Sequence, residues 1–271
     1  MVVNGTLLAL DPVAFQLGSL SVRWDGILIA TGVLLAYLIV QREAKRLGMD
    51  EEFFIDLLLW AMPMAIIGAR LYYVVFEWER YADQPIRSLY IWEGGIAIHG
   101  ALIAGILTAY FFAKKRNVSF WKVGDIAVPG IFIGQIIGRW GNFMNQEAHG
   151  GPVSETFLQQ TPIPNWIMEQ MTIQGVTYHP TFLYESLWNT VGLLFVLFFR
   201  RRNPRRGEIF LFYVGWYSLG RLFIEGMRTD SLVIGGLRMA QIVSLTGIAI
   251  AVIFFVYRRW IRPQSTRYEE A

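Results

Sequence analysis

Long apolar runs alternate with short polar ones along the chain, and the apolar runs exceed what the helices of an ordinary soluble core require. A hydrocarbon core needs about 20 apolar residues per helix, within a range near 17–25. Seven segments meet that length: 25–41, 53–76, 96–113, 123–143, 181–199, 208–224 and 239–257. The pattern predicts an all-α polytopic membrane protein with seven transmembrane helices, residues 1–271 forming a single integral membrane domain. Residues 1–24 are mildly apolar, hold Pro12 and Gly18, and are expected to lie along the membrane surface. Between the fourth and fifth spans, residues 144–180 are polar and rich in Gln, Thr and Pro. A connection longer than about 12–15 residues is usually a lid or a binding surface. This insertion is therefore expected to form a small head, strand-like over MTIQGVTYH near its end.

Charge gives the chain a direction. Arg42, Lys45 and Arg46 follow the first span, and Lys114, Lys115, Arg116 and Lys122 the third. Arg200, Arg201, Arg202, Arg205 and Arg206 follow the fifth; Arg258, Arg259, Arg262 and Arg267 the seventh. These alternate loops hold 16 of the 24 basic residues, including every lysine. Cytoplasmic loops carry such an excess. The N-terminus is expected outside, the C-terminus in the cytoplasm, and the 144–180 head on the extracytoplasmic side. An odd number of spans agrees with that. The other eight basic residues, all arginines, are Arg23, Arg70, Arg80, Arg87, Arg139, Arg221, Arg228 and Arg238. They fall where the rule makes basic residues scarce, among acids that include Glu93, Glu147, Glu225 and Asp230. The arginine fork suits phosphate and carboxylate, so an outward anion site and bundle-stabilising ion pairs both account for them.

Composition narrows the chemistry. Only 17% of residues are charged and 54% are hydrophobic, against roughly 25% charged in a soluble domain. Cysteine is absent, which excludes a disulfide framework, a thiolate metal site and a covalent cysteine intermediate. With three histidines, His99, His149 and His179, a histidine-rich metal site is not expected. No short apolar stretch precedes a small-residue cleavage site, so no removable signal peptide is expected. Nucleic-acid binding has no support, since topology explains the cationic clusters. No GxSxG elbow, HExxH pair or nucleotide-binding glycine loop is present.

Five polar constellations remain. The stretch 138–150, GRWGNFMNQEAHG, packs Arg139, Asn142, Asn145, Gln146 and Glu147 at the end of an apolar run, where hydrocarbon offers no hydrogen-bond partners. A helix end surfacing with Arg139 snorkelling accounts for one arginine but not for the accompanying amides and carboxylate. In WEGGIAIHGALIAG, His99 enters the third span as either a hydrogen-bonded structural residue or a general base. In GRLFIEGMR, Arg221, Glu225 and Arg228 have the spacing of one helical face. They read as an internal ladder, or as Glu225 orienting Arg221 toward an anion. HPTFLYES opens the fifth span with Tyr184 and Glu185, and GARLYY places Arg70 within the second. An arginine inside a span faces the bundle interior or a watery cavity. These groups bind an anion and move a proton.

GRWGNFMNQE resembles the signature of the bacterial prolipoprotein diacylglyceryl transferases. GARLYYVVF, EGGIAIHG, HPTFLYE and GRLFIEGMR resemble four further blocks of that family, in order and across nearly the whole chain. One departure is visible: Asp25, in WDGI, stands where the family usually shows a tyrosine, and Asp25 is left out of the expected site. The resemblance implies a transferase of the bacterial cytoplasmic membrane, its active site toward the extracytoplasmic side. Such an enzyme moves the diacylglyceryl group of phosphatidylglycerol onto the lipobox cysteine of a prolipoprotein, releasing glycerol phosphate. The acceptor brings the thiol, so an enzyme without cysteine loses nothing. The expected assignments are Arg139 and Arg221 on the donor phosphate, Asn142 and Asn145 on the glycerol hydroxyls or headgroup, and Glu147 in the same substrate-binding set, orienting the arginines. His99 is the expected base, structural only if water or Glu147 takes the proton. Glu225, Arg228, Arg70, Tyr184 and Glu185 support them. No metal or organic cofactor is required. The alternative from another class is an anion or lipid transporter with an outward-facing arginine-lined site, although no inverted repeat is apparent.

Overall fold

Each apolar block folds into a helix, because a backbone in apolar surroundings must satisfy its own N–H and C=O groups. The computed structural model describes residues 2–3, 6–7, 10–228, 233–234, 237–263 and 265–270. Asp230, one of the acids noted beside the arginines, lies outside the described residues. The long helices are α1 (Trp24–Arg46), α2 (Phe53–Phe76), α3 (Ile98–Lys115) and α4 (Phe120–Met144). The short α5 (Glu155–Gln160) and α6 (Asn165–Gln170) precede α7 (Thr181–Phe199), α8 (Glu208–Met227) and α9 (Met239–Val256). Among the described residues, four antiparallel hairpins accompany them: β1–β2 (Val2–Val3, Thr6–Leu7), β3–β4 (Val13–Leu17, Leu20–Arg23), β5–β6 (Thr172–Ile173, Val176–Thr177) and β7–β8 (Val233–Ile234, Leu237–Arg238).

Among the described residues, five helices are long and apolar enough to cross a membrane: α1, α2, α4, α7 with its following turn, and α9 with its following turn. α3 and α8 occupy the other two apolar segments, 18 and 20 residues long. Their apolar character is diluted by His99, Lys114 and Lys115 in α3, and by Glu208, Arg221 and Glu225 in α8. In the N-terminal segment the chain folds back on itself. Its β3–β4 hairpin leads without a break into α1.

The chain divides into two compact units, residues 41–126 and residues 1–40 with 127–270. In the first, Phe53 meets Phe112 and Tyr72 meets His99, so α2 and α3 run antiparallel. Between those contacts a Cβ on Gly100 would strike the Gly68 carbonyl, and one on Gly68 would strike Ala104. Small residues let apolar helices approach where lipid removes the hydrophobic drive between them. Arg70, buried on α2, reaches past the helix end to the connection before α3. It donates to the carbonyls of Arg87 (2.8 Å), Ser88 (2.7 Å), Tyr90 (3.2 Å), Gly94 (2.5 Å) and Gly95 (2.8 Å). Five acceptors around one planar fork suit arginine, whereas an ammonium offers three donors from a point.

In the second unit, α7 and α8 are locked by Trp188 and Trp216. Their rings stack at 4.2 Å, and each indole N–H donates to the other residue's carbonyl, at 2.9 and 3.0 Å. α8 packs along α9, and Gln135 of α4 donates to the Tyr213 hydroxyl of α8 at 2.9 Å. Residues 144–180 pack onto the helix ends around a shared apolar centre, in which Ile167 and Met171 meet Phe143 and Trp140 of α4 and Phe182 of α7. The MTIQGVTYH stretch is the β5–β6 hairpin, turning at Gln174 and Gly175 with φ of 52° and 81°. Two successive positive φ values are what a tight hairpin turn demands.

Replacing Gly100 by Leu is expected to force α2 from α3 and cost about 1–3 kcal/mol, read as a lower unfolding temperature in detergent. Gly105→Leu, where an added Cβ meets nothing within 4 Å, should not lower it. Equal unfolding temperatures for the two variants would refute the close crossing.

Candidate functional site

Three stretches that are far apart in sequence meet in the unit formed by residues 1–40 and 127–270. α4 delivers Arg139 and Asn142 from its last turns, α7 delivers Tyr184 and Glu185 from its first turns, and α8 delivers Arg221 and Glu225. The weave outside the helices explains why they meet. The Gly150 N–H donates to the His179 carbonyl and the His179 N–H to the Gly151 carbonyl, both at 3.0 Å. The Gly151 N–H donates to the Met227 carbonyl at 2.9 Å, and Gly150 pairs with Arg228. One short extended segment thus ties the end of the α4 stretch to the start of α7 and the end of α8.

Glu185 is the hub. Its carboxylate is 5% exposed and lies between two guanidiniums: Arg139 Nη2 is 2.7 Å from Oε2, and Arg221 Nη1 is 3.0 Å from Oε1. Arg221 also pairs through Nη2 with Glu225, one helical turn along α8 and likewise 5% exposed. The arginines are 21% and 17% exposed, so each fork opens on one side and is anchored on the other. Arg139 meets Glu185 Oε2 off the hydrogen-bond line, and it reaches the Asn142 Oδ1 at 3.5 Å, the limit of a hydrogen bond. Among the described residues its Nε makes no hydrogen bond, and N–H groups of this fork remain for a ligand.

Glu147, exposed, gathers the amides. Its Oε1 accepts from Asn142 Nδ2 at 3.1 Å and from Asn145 Nδ2 at 3.3 Å. Asn145 Nδ2 also lies 3.2 Å from Asp25 Oδ2, and Arg23 donates to Asn145 Oδ1 at 2.7 Å. Tyr184 reaches His179 Nδ1 at 3.2 Å. Burial lowers the His179 imidazole from its ordinary value, which favours the neutral ring, whose Nδ1 can accept from the tyrosine hydroxyl.

Arg139, Asn142, Asn145, Glu147, Tyr184, Glu185, Arg221, Glu225 and Arg228 therefore all belong to one unit. Arg228 differs from its expected place on the face of Arg221 and Glu225. α8 ends at Met227, and Arg228 continues in an extended conformation with φ −75° and ψ 144° because its backbone pairs with Gly150. His99 and Arg70 belong to residues 41–126. His99 is exposed at the start of α3, its ring 6.0 Å from that of Tyr72. Arg70 is committed to main-chain carbonyls. Sequence reasoning missed Arg23, Asp25 and Arg238, whose Nη1 donates to the Glu225 carbonyl. The signal was available for Arg23 and Arg238 as arginines outside the basic loops, but not for their partners. No group of three or more His, Cys, Asp or Glu side chains suited to a metal occurs among the described residues.

Comparison with known proteins adds the chemistry. A family model described as prolipoprotein diacylglyceryl transferase matches residues 12–257. A phosphatidylglycerol–prolipoprotein diacylglyceryl transferase of Lysinibacillus sphaericus is 57% identical over 256 residues, 93% of this chain and 94% of its own length. Proteins of the same name from Halalkalibacterium halodurans and Bacillus cereus are 57% and 54% identical. They align with 96% and 98% of this chain, and with 90% and 98% of their own lengths.

Proposed function

The chain belongs to the prolipoprotein diacylglyceryl transferase family, and on that premise we propose how its residues alkylate a thiol with a lipid. It is a transferase of lipoprotein maturation. The donor is phosphatidylglycerol and the acceptor is the lipobox cysteine of a prolipoprotein. The thiolate sulfur attacks the glycerol carbon that carries the phosphate. A C–S bond forms as the bond between that carbon and the phosphate ester oxygen breaks, and glycerol phosphate leaves with the bonding electron pair. Family membership selects this transfer over anion transport.

The observation that carries the assignment is the pair of guanidiniums held on one buried carboxylate, Arg139 and Arg221 on Glu185. The leaving phosphate gains negative charge in the transition state, and fixed donors aimed at developing charge lower a barrier without reorganising. Glu185 and Glu225 hold the forks before substrate arrives, so the phosphate meets donors already in place. Asn142, Asn145 and Glu147 bind the glycerol hydroxyls or headgroup at the open side of the same cluster. Tyr184, Arg228 and Arg70 support the elements around them. His99 takes the thiol proton, which a free thiol with a pKa near ~8.5 holds at neutral pH. The reaction so written needs no metal or organic cofactor.

The membrane arrangement in this proposal has seven spans, N-terminus outside and C-terminus in the cytoplasm, with the Arg139–Glu185–Arg221 cluster and residues 144–180 on the extracytoplasmic side. A helix over each of the seven apolar segments and the basic residues in alternate loops support it.

Purified protein, phosphatidylglycerol vesicles and a lipobox peptide test the phosphate assignment. Arg139→Ala and Arg221→Ala should each lower the rate of thiol lipidation by about 100-fold or more, with the helical content unchanged. Unimpaired lipidation in either variant would remove that arginine from the phosphate site. The pH–rate profile of His99→Gln addresses the base. Loss of the alkaline-rising limb is expected, whereas full activity with an unshifted profile would exclude His99.

A further inference from the structure

Two asparagines in the site are each caught between a cation and an anion, in the same sense. Asn142 turns its oxygen to Arg139 and its nitrogen to Glu147. Asn145 turns its oxygen to Arg23, 2.7 Å away, and its nitrogen to Asp25 and Glu147, at 3.2 and 3.3 Å. Arg23 Nε and Asp25 Oδ1 are themselves 3.2 Å apart, so Arg23, Asp25 and the Asn145 amide close a three-membered ring of hydrogen bonds. Both relays end on Glu147 Oε1. An amide can rotate by half a turn at little steric cost, and only its neighbours decide which end is oxygen. Here a rotated Asn145 would set its NH2 against the Arg23 guanidinium and its oxygen against two carboxylates.

Resting on the proposed transferase reading, we propose that Arg23 and Asp25 are positioning residues for the donor-binding side of the reaction. Their charges fix the Asn145 amide with nitrogen toward Glu147, and the fixed amide holds the Glu147 carboxylate in place opposite Asn142. Arg23 ends β4 and Asp25 lies in the first turn of α1, so the pair brings the N-terminal hairpin to a cluster otherwise built on the end of α4 and the residues that follow it. The side chains are 49% and 30% exposed. As a surface ion pair they add little stability. Their consequence is direction: they choose one of two orientations for an amide in contact with the carboxylate that faces the substrate.

The test compares lipidation kinetics of the full-length wild type with Arg23→Ala, Asp25→Ala, the double alanine variant, and the charge-swapped Arg23→Asp/Asp25→Arg pair. Each single variant should raise the KM for phosphatidylglycerol about 5-fold or more, with a smaller effect on kcat and little change in unfolding temperature. The double variant should be no worse than the poorer single one, because all three break one orientation lock. The charge swap is decisive. It restores an ion pair but favours the rotated amide, presenting oxygen to Glu147, so its unfolding temperature should match the wild type while its KM stays raised. Recovery of KM in the swapped variant would show that any ion pair suffices and would overturn the proposal. So would additive effects of the two alanines, or an unchanged KM in both. Failure of the wild-type protein to lipidate the peptide would instead defeat the transferase reading.

Discussion

Glu185 is the interaction on which the rest of the second unit depends. A carboxylate 5% exposed is stable only if its charge is matched, since removing an ion from water costs several kcal/mol after relaxation. Two guanidiniums match it. Each comes from a different helix, so satisfying one buried charge fixes α4 against α7 and α7 against α8. With Glu225, the four charged groups cancel formally, and the cluster is stable without a ligand. It is nevertheless asymmetric: the acids sit deeper than the bases, and the open sides of the forks are cationic.

The surrounding packing holds that geometry. Trp188 lies one helical turn beyond Glu185, and its reciprocal hydrogen bonds with Trp216 set the register of α7 on α8. A slip between the helices would break two half-buried indole hydrogen bonds and separate Glu185 from Arg221 together. Gly150 and Gly151 do the same work outside the helices, pairing with the residues at the start of α7 and the end of α8. Positioning by rigid elements is what a site for charge stabilisation requires, because donors that must move at the moment of reaction lose most of their effect.

Much of the fold was legible because helical periodicity and apolar length are local properties. The segment 181–199 coincides with α7, and 53–76 with α2. The same pattern marks α3 and α8 as spans, although their charged residues leave them less apolar than the other five. The density of polar residues in 138–150 and the i, i+4 spacing of Arg221 and Glu225 were visible too. What sequence withheld is pairing over distance. Nothing local tells Glu185 that it faces Arg139 as well as Arg221, 46 and 36 residues away in the chain. Arg228 was misplaced because helix termination here is set by a backbone partner, Gly150, rather than by a stop signal in the sequence. Asp25 was visible only as a departure from a family pattern. Its hydrogen bond to Asn145, 120 residues on, gives that departure a physical setting.

The central claim is that Glu185 aims two arginines at charge that develops on the leaving phosphate. Single-turnover lipidation by Glu185→Gln, measured beside equilibrium binding of phosphatidylglycerol to the same variant, tests it most directly. Gln keeps the shape but removes the charge that anchors both forks, so the chemical step should slow by about 10-fold or more, while donor affinity changes far less. A chemical step as fast as the wild type's, in a folded variant, would contradict the account.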